Sequence, residues 1–134
     1  MKTYIMSIKK EYGLNLLESK ALWEYRRRKS RINVGDKIIL YATSPNNELI
    51  GEFVVGEVIS GSPEELWERT RNDVCYQEDE VTSYLKSGNF PIAFKVNSPK
   101  KYSQAISTSK IPSFKPPMSY CKVSEEIATI IESL

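Results

Sequence analysis

The densest group of chemically capable side chains lies between Lys20 and Arg31. Six Lys/Arg residues (Lys20, Arg26, Arg27, Arg28, Lys29 and Arg31) surround two aromatics, Trp23 and Tyr25, and one acid, Glu24. Guanidinium groups pair with phosphate oxygens at two points, and aromatic faces stack on unpaired bases, so this mixture suits nucleic acid. From Trp23 onward the run alternates as a strand does. Trp23, Tyr25 and Arg27 fall on one side, and Glu24, Arg26 and Arg28 on the other. On that second face Glu24 is the ion-pair partner of the arginines, an acceptor for the amino or imino edge of a base, or, with its pKa raised by burial, a general base. The same residues also describe an edge strand whose charges discourage aggregation while Trp23 and Tyr25 fill the core.

Two smaller sets join this one. Thr43 and Ser44 close a strand, where hydroxyls and free backbone N–H groups bind phosphate, although Ser-Pro-Asn-Asn is equally ordinary turn sequence. Lys115, Ser119 and Tyr120 flank a proline-rich stretch near the end of the chain. What is missing narrows the chemistry. There is no histidine, which removes Ser-His-Asp and Cys-His nucleophiles. Cys75 and Cys121 are two thiols too few for a four-cysteine zinc site, so no metal and no cofactor is expected. Both cysteines read as reduced thiols, and Cys121 as a small core residue, because no histidine or helix start is at hand to lower its pKa.

The charges are segregated along the chain. Met1 to Lys37 holds ten Lys/Arg against four acids, Glu48 to Glu80 two against ten, and Lys86 to Lys122 seven against none. If the two basic segments meet in space, they form a positive face opposite an acidic one; otherwise they solvate separate surfaces. At 134 residues and 40% hydrophobic content, a single domain over 1–134 is expected. The opening Met1–Lys9 is too short and interrupted for a signal peptide, and no stretch approaches a bilayer span, so a cytoplasmic chain is expected, working as a monomer.

The elements that must position these residues are mostly strands. Thr3–Ile8 reads as an opening strand, followed by a short helix over 11–18 and the alternating strand from Trp23. Ile38–Thr43 is nearly continuously apolar, as in a strand buried on both faces, and should form a hairpin with 49–59, where Gly51 and Gly56 mark bulges. Ser62-Pro63-Glu64-Glu65 combines a serine N-cap, a proline in the first turn and a capping-box glutamate, so a helix starts there. A second helix follows with Val81, Tyr84 and Leu85 on one face, and both helices look like an acidic insertion. Phe90–Val96 is another strand, with Phe90, Ile92, Phe94 and Val96 sharing a face, and a basic serine-rich connection is expected after it. Ser119–Val123 reads as a last short strand. Ser124 then caps a terminal helix whose Ile127, Ile130, Ile131 and Leu134 form a core-facing stripe.

The run Glu18-Ser19-Lys20-Ala21-Leu22-Trp23-Glu24-Tyr25-Arg26-Arg27-Arg28 resembles the ASCH-domain signature, a Gly-x-Lys-x-x-Glu-x-Arg type of run between a short helix and a strand. Further similar segments follow in order at 39–45, 49–53 and 61–67. Pro116-Pro117-Met118-Ser119-Tyr120-Cys121 looks like a segment of a bacterial and archaeal subgroup labelled predicted transcriptional regulators. The resemblance implies a mainly β, α+β fold: a PUA-like barrel of about six strands with short peripheral helices and a cleft beside the signature. It also implies a role in binding RNA or a nucleotide, with Glu24 and Arg26 matching the motif; taken with the residue reading above, the expected binding residues are Lys20, Trp23, Glu24, Tyr25, Arg26, Arg28, Thr43, Ser44, Lys115, Ser119 and Tyr120. Some family members are hydrolases of RNA or of acylated nucleosides that pair a lysine with a carboxylate or hydroxyl. A metal-independent hydrolase is therefore the alternative, with Lys20, Glu24 and Thr43 as candidate catalytic groups. The front of the motif departs here: Ser19 stands where glycine is usual and Ala21 where the lysine is, with Lys20 one residue earlier.

Overall fold

The computed structural model describes all residues, Met1–Leu134. In chain order the elements are β1 (Thr3–Ile8), α1 (Lys10–Leu17), β2 (Trp23–Arg26), β3 (Lys37–Ala42), β4 (Glu48–Ser60), α2 (Pro63–Thr70), α3 (Glu78–Lys86), β5 (Ile92–Ser107), β6 (Tyr120–Lys122) and α4 (Glu125–Glu132). The six strands form one sheet in the order β2-β5-β4-β3-β1-β6, curled into a half-barrel, with β1 parallel to β3 and every other pair antiparallel. This is the mixed, mainly β architecture that the strand pattern and the resemblance imply.

Each local expectation has a visible physical origin. β3 is apolar throughout because both of its faces are covered: Ile38 and Leu40 join the cluster inside the curl, Ile39 and Tyr41 the one beneath α4. In β4 the pairing with β5 slips between Leu49 and Gly51 and again between Val55 and Glu57, so the glycines do mark bulges. At Gly51 the reason is close approach, since a Cβ would come within 2.6 Å of the Lys100 carbonyl oxygen and 2.5 Å of Leu17. The capping box at α2 is complete: the Ser62 hydroxyl accepts from the Glu65 N–H at 3.0 Å, and the Glu65 carboxylate accepts from the Ser62 N–H at 3.0 Å.

Three expectations are corrected. The connection expected after Val96 is strand, for β5 runs on to Ser107 along the whole of β4. Its loop-like sequence records a bulge. Ser98 takes a positive φ of 49°, and Pro99, with no N–H to donate, lies within the slip between the Val54–Asn97 and Glu52–Lys100 pairs. Phe90 lies outside β5 and is partly exposed, so it does not share the core face with Ile92, Phe94 and Val96. In α4, Ile131 is buried and Ile127 packs against the same cluster, but Leu134 lies beyond the helix end and is exposed.

The sheet does not close by backbone pairing, and its two edges, β2 and β6, are joined instead by side chains. Arg26 of β2 donates from Nη2 to the Ser7 carbonyl of β1 at 2.9 Å and from Nη1 to Ser119 Oγ at 3.4 Å. Just beyond β2, the Arg31 N–H donates to the Tyr120 hydroxyl at 3.3 Å, and the Tyr4 hydroxyl donates to the Arg31 carbonyl at 3.4 Å.

Candidate functional site

The seam between those edges opens into a cleft of about 340 Å³. Its walls come from the end of β1 (Ser7, Ile8), the start of α1 (Lys9, Tyr12), β2 (Glu24, Tyr25, Arg26), Tyr76, and α3 (Glu80, Val81, Tyr84). Three separate stretches of chain, 7–12, 24–26 and 76–84, therefore converge, and the volume lies in the range that admits a small ligand.

The Glu24–Arg26 pair supplies the cleft's charged chemistry. Two residues apart on one strand, their side chains share a face, and Arg26 grips a single oxygen of Glu24: Nη2 and Nε donate to Oε2 at 2.8 and 3.0 Å. The side chains are 13% and 14% exposed, so the pair works in a mostly dry environment. Burial pushes the Glu24 carboxyl above the usual range, while the Arg26 guanidinium pulls the other way. Both bonds from Arg26 fall on Oε2, which leaves Oε1 as the oxygen this ion pair does not use.

Tyrosines form the walls. Tyr12 and Tyr76 meet edge to face with ring centroids 5.9 Å apart, and Asn15 Nδ2 donates to the Tyr76 hydroxyl at 3.2 Å. On the opposite wall the Arg27 guanidinium lies over the Tyr84 ring, 4.9 Å from its centroid, and Arg27 Nη1 also donates to Ser87 Oγ at 2.9 Å. Tyr12 and Tyr84 keep 39% and 40% of their surface exposed, so part of each ring reaches solvent beside the cleft. Burial raises the Tyr76 hydroxyl to about 12 and raises that of Tyr84, with the nearby Glu24 charge adding to both. The phenols are therefore neutral hydrogen-bonding groups near neutral pH.

The sequence candidates separate in space. Glu24 and Arg26 line the cleft, and Ser119 reaches it through Arg26. Tyr25 borders it, but its ring is buried under α2 and α3, with its hydroxyl 2.6 Å from Thr70 Oγ1. Trp23 is 5% exposed in the same cluster, where its indole N–H finds no acceptor, so it offers no stacking face. Lys20 points away to Glu18 at 3.5 Å on the surface. Arg28 lies beyond the end of β2 and is exposed. Thr43 and Ser44 sit in the turn after β3, where the Thr43 N–H donates to the Ile8 carbonyl at 3.1 Å. Lys115 is exposed on the chain leading to β6, and the half-buried Tyr120 packs edge-on against Tyr4 at 5.7 Å. Ser7, Lys9, Tyr12, Tyr76, Glu80 and Tyr84 are cleft residues that sequence reasoning missed. No signal in the sequence set these tyrosines apart, since Tyr12 and Tyr84 sit on α1 and α3 at core-like spacing and Tyr76 in the connection before α3. Burial also raises the Cys121 thiol above its ordinary value, which disfavours the nucleophilic thiolate.

A second hollow of about 350 Å³ beside α4 is lined by Lys37, Glu52, Tyr102 and Glu132. Its polar groups satisfy one another: Lys37 Nζ lies 3.0 Å from Glu52 and 3.4 Å from Glu132, and the Tyr102 hydroxyl donates to Glu52 at 2.8 Å. No three metal-ligating side chains converge in the structure, and no helix is long and apolar enough to cross a membrane.

Comparison with known proteins identifies the fold and the family. Solved structures sharing the fold include ASCH from Zymomonas mobilis, at a TM-score of 0.89 and 23% identity over 99% of this chain and 95% of that one. The N-terminal domain of Staphylothermus marinus McrB aligns at 0.65 and 16% identity, covering 98% and 93% of the two chains. The N-terminal domain of Thermococcus gammatolerans McrB bound to m5C DNA aligns at 0.60 and 13%, covering 99% and 96%. No curated protein matches the chain in sequence. The ASCH domain model matches residues 6–112, most of the chain and all of the signature, so this chain belongs to the ASCH domain family.

Proposed function

We propose that the chain is a nucleic-acid-binding domain that takes one unstacked base into the cleft. The observation that carries this reading is the Glu24–Arg26 pair set low between tyrosine walls, a carboxylate and a guanidinium beside exposed ring faces. An unstacked base needs an aromatic face on which to stack and polar partners for its edge. Glu24 Oε1 accepts from an amino or imino group, Arg26 Nη1, held by only a 3.4 Å contact to Ser119, donates to a ring nitrogen or carbonyl, and Tyr84 or Tyr12 stacks. A neighbour of the same fold, the Thermococcus McrB domain, is bound to DNA, which supports the class of ligand. The hydrolase alternative has less support, because the lysine it assigns to Glu24 is engaged with Glu18 at the surface.

The test is fluorescence anisotropy with labelled mixed-sequence RNA and DNA single strands at low salt. Tyr84→Ala is expected to weaken binding roughly 5- to 150-fold, the range for loss of one stacking partner, and Glu24→Gln to change which homopolymer is preferred. Absence of binding by the wild type, or wild-type affinity in both variants, overturns the reading.

A further inference from the structure

The segment joining β2 to β3 carries four cations in five residues, Arg27, Arg28, Lys29 and Arg31, and all four are exposed. None of them has a carboxylate within ion-pair distance, which is also true of the exposed Lys2, Lys9, Lys100, Lys110, Lys115 and Lys122, but only here do four such cations fall within five consecutive residues. Surface cations left unpaired in a row raise the local potential without adding to stability. The backbone beneath them is nonetheless pinned at both ends. The Arg27 carbonyl accepts from the Phe90 N–H at 2.9 Å, and Arg31 is held through its N–H by Tyr120 and through its carbonyl by Tyr4. Just past the second anchor the Ile32 N–H donates back to Ser30 Oγ at 3.1 Å, which fixes the turn at Ser30–Arg31. The segment is therefore a fixed cationic rim. It begins at the cleft wall, where Arg27 covers Tyr84, and leads away towards β6. The α3 side of the cleft has the opposite sign, with Glu78, Asp79 and Glu80 in the first helical turn.

We propose that the ligand is a phosphodiester chain, that it leaves the cleft along Arg27–Arg31, and that its phosphates lie on this rim and avoid the acidic turn of α3. This deepens the cleft reading and rests on it. A free nucleoside or mononucleotide, seated at Glu24 and Arg26, has no use for cations strung along the rim. Five residues of chain span up to about 18 Å, which reaches past a single phosphate. The loop thus fits a strand continuing from the bound base, and the sign change across the cleft mouth gives that strand one exit. RNA and DNA share this chemistry.

The test compares wild type with the variant R28Q/K29Q/R31Q, three exposed changes that leave Arg27, Tyr84 and the backbone anchors in place. The probes are a short single-stranded RNA, the same sequence as DNA, each nucleoside monophosphate, and poly-glutamate as a competitor, over a salt series. Each phosphate that the protein no longer neutralises takes about 0.7 off the salt slope for a single strand. The variant's slope should therefore be shallower by about 2 and its strand affinity about 100-fold weaker near 0.1 M salt, for RNA, DNA or both. Mononucleotide binding should move less than about threefold, because its single phosphate does not reach the three substituted positions. An unchanged slope with strand binding intact overturns the rim and leaves the cleft reading standing. Competition by poly-glutamate as effective as that of the strand also overturns it, because the rim would then be a general polyanion surface. Wild type that binds neither strand nor mononucleotide sinks the cleft reading, and the rim with it.

Discussion

Removing the charge of Arg26 is the most direct test of how the seam and the cleft are held. Arg26→Gln deletes the two bonds to Glu24 and the 2.9 Å bond to the Ser7 carbonyl, leaving a carboxylate that is 13% exposed with no cation. Breaking a buried pair from one side costs about 3–5 kcal/mol, and the residual exposure of both groups puts this case near the lower end, about 3 kcal/mol around neutral pH. For a chain of 134 residues that corresponds to a melting-temperature drop of roughly 10 °C. The pH dependence gives the sign. Glu24 is already shifted upward by burial in the wild type, and without Arg26 it rises further. A carboxyl whose folded pKa exceeds its unfolded value of about 4.3 is tolerated best below that value, and stability is lost as pH rises through the folded pKa. The penalty of Arg26→Gln should therefore shrink at acid pH to about 1 kcal/mol, the worth of the missing Ser7 bond, and grow towards neutrality. Urea unfolding of Arg26→Gln, Glu24→Gln and the double variant at both pH values measures this. The double variant should recover part of the loss, since no lone charge remains. A penalty below about 0.5 kcal/mol at neutral pH, the level of an ordinary surface substitution, or strict additivity of the two changes, would show that the pair is solvated and that the reasoning fails.

Two further outcomes follow from single contacts. Thr70 Oγ1 already donates to the Leu66 carbonyl at 2.8 Å, so the Tyr25 hydroxyl must be the donor in their 2.6 Å bond; Tyr25→Phe should cost about 1–2 kcal/mol, read as a melting shift of roughly 4–7 °C with the ultraviolet circular dichroism unchanged. Gly88 has no room for a side chain, because a Cβ would strike Arg27 and its carbonyl, the acceptor of the Phe90 N–H, so Gly88→Ala should lower stability by about 1–3 kcal/mol and displace Arg27 from Tyr84; wild-type stability together with wild-type nucleotide affinity would contradict that placement.

The parts of this fold legible in the sequence are those whose reasons are local. The Ser62 capping box, the doubly covered β3 and the bulge glycines of β4 each carry their cause within a few residues. The tail of β5 was illegible because its strand character comes from β4 alongside it, while Ser98 and Pro99 signal a turn. In the site, Glu24 and Arg26 were found because alternation puts them on one face at short range. Arg28 broke the pattern, since β2 stops at Arg26 where the chain is captured by Phe90. Trp23 and Tyr25 looked like stacking rings until α2 and α3 folded over them. Of the rings that do face the cleft, Tyr12 comes from α1 and Tyr76 and Tyr84 from the distant α3 region, and Tyr84 follows Val81 by one helical turn, the spacing of a core residue. No local pattern separates such a ring from packing.

The side-chain seam also bears on how the protein folds. Trp23 of β2 pairs with Lys95, and Tyr4 of β1 with Lys122, so each edge is completed by a partner far away in the chain. Pairings of that range cost the most loop entropy and tend to form late. Arg26 can bridge the edges only after both are in place, which makes the cleft the last structure to assemble. Its ligand affinity, followed during refolding, should appear later than the β3–β4 hairpin, and a nascent chain still lacking β6 would have its sheet largely formed but Arg26 without its contact to Ser119 and Arg31 without Tyr120.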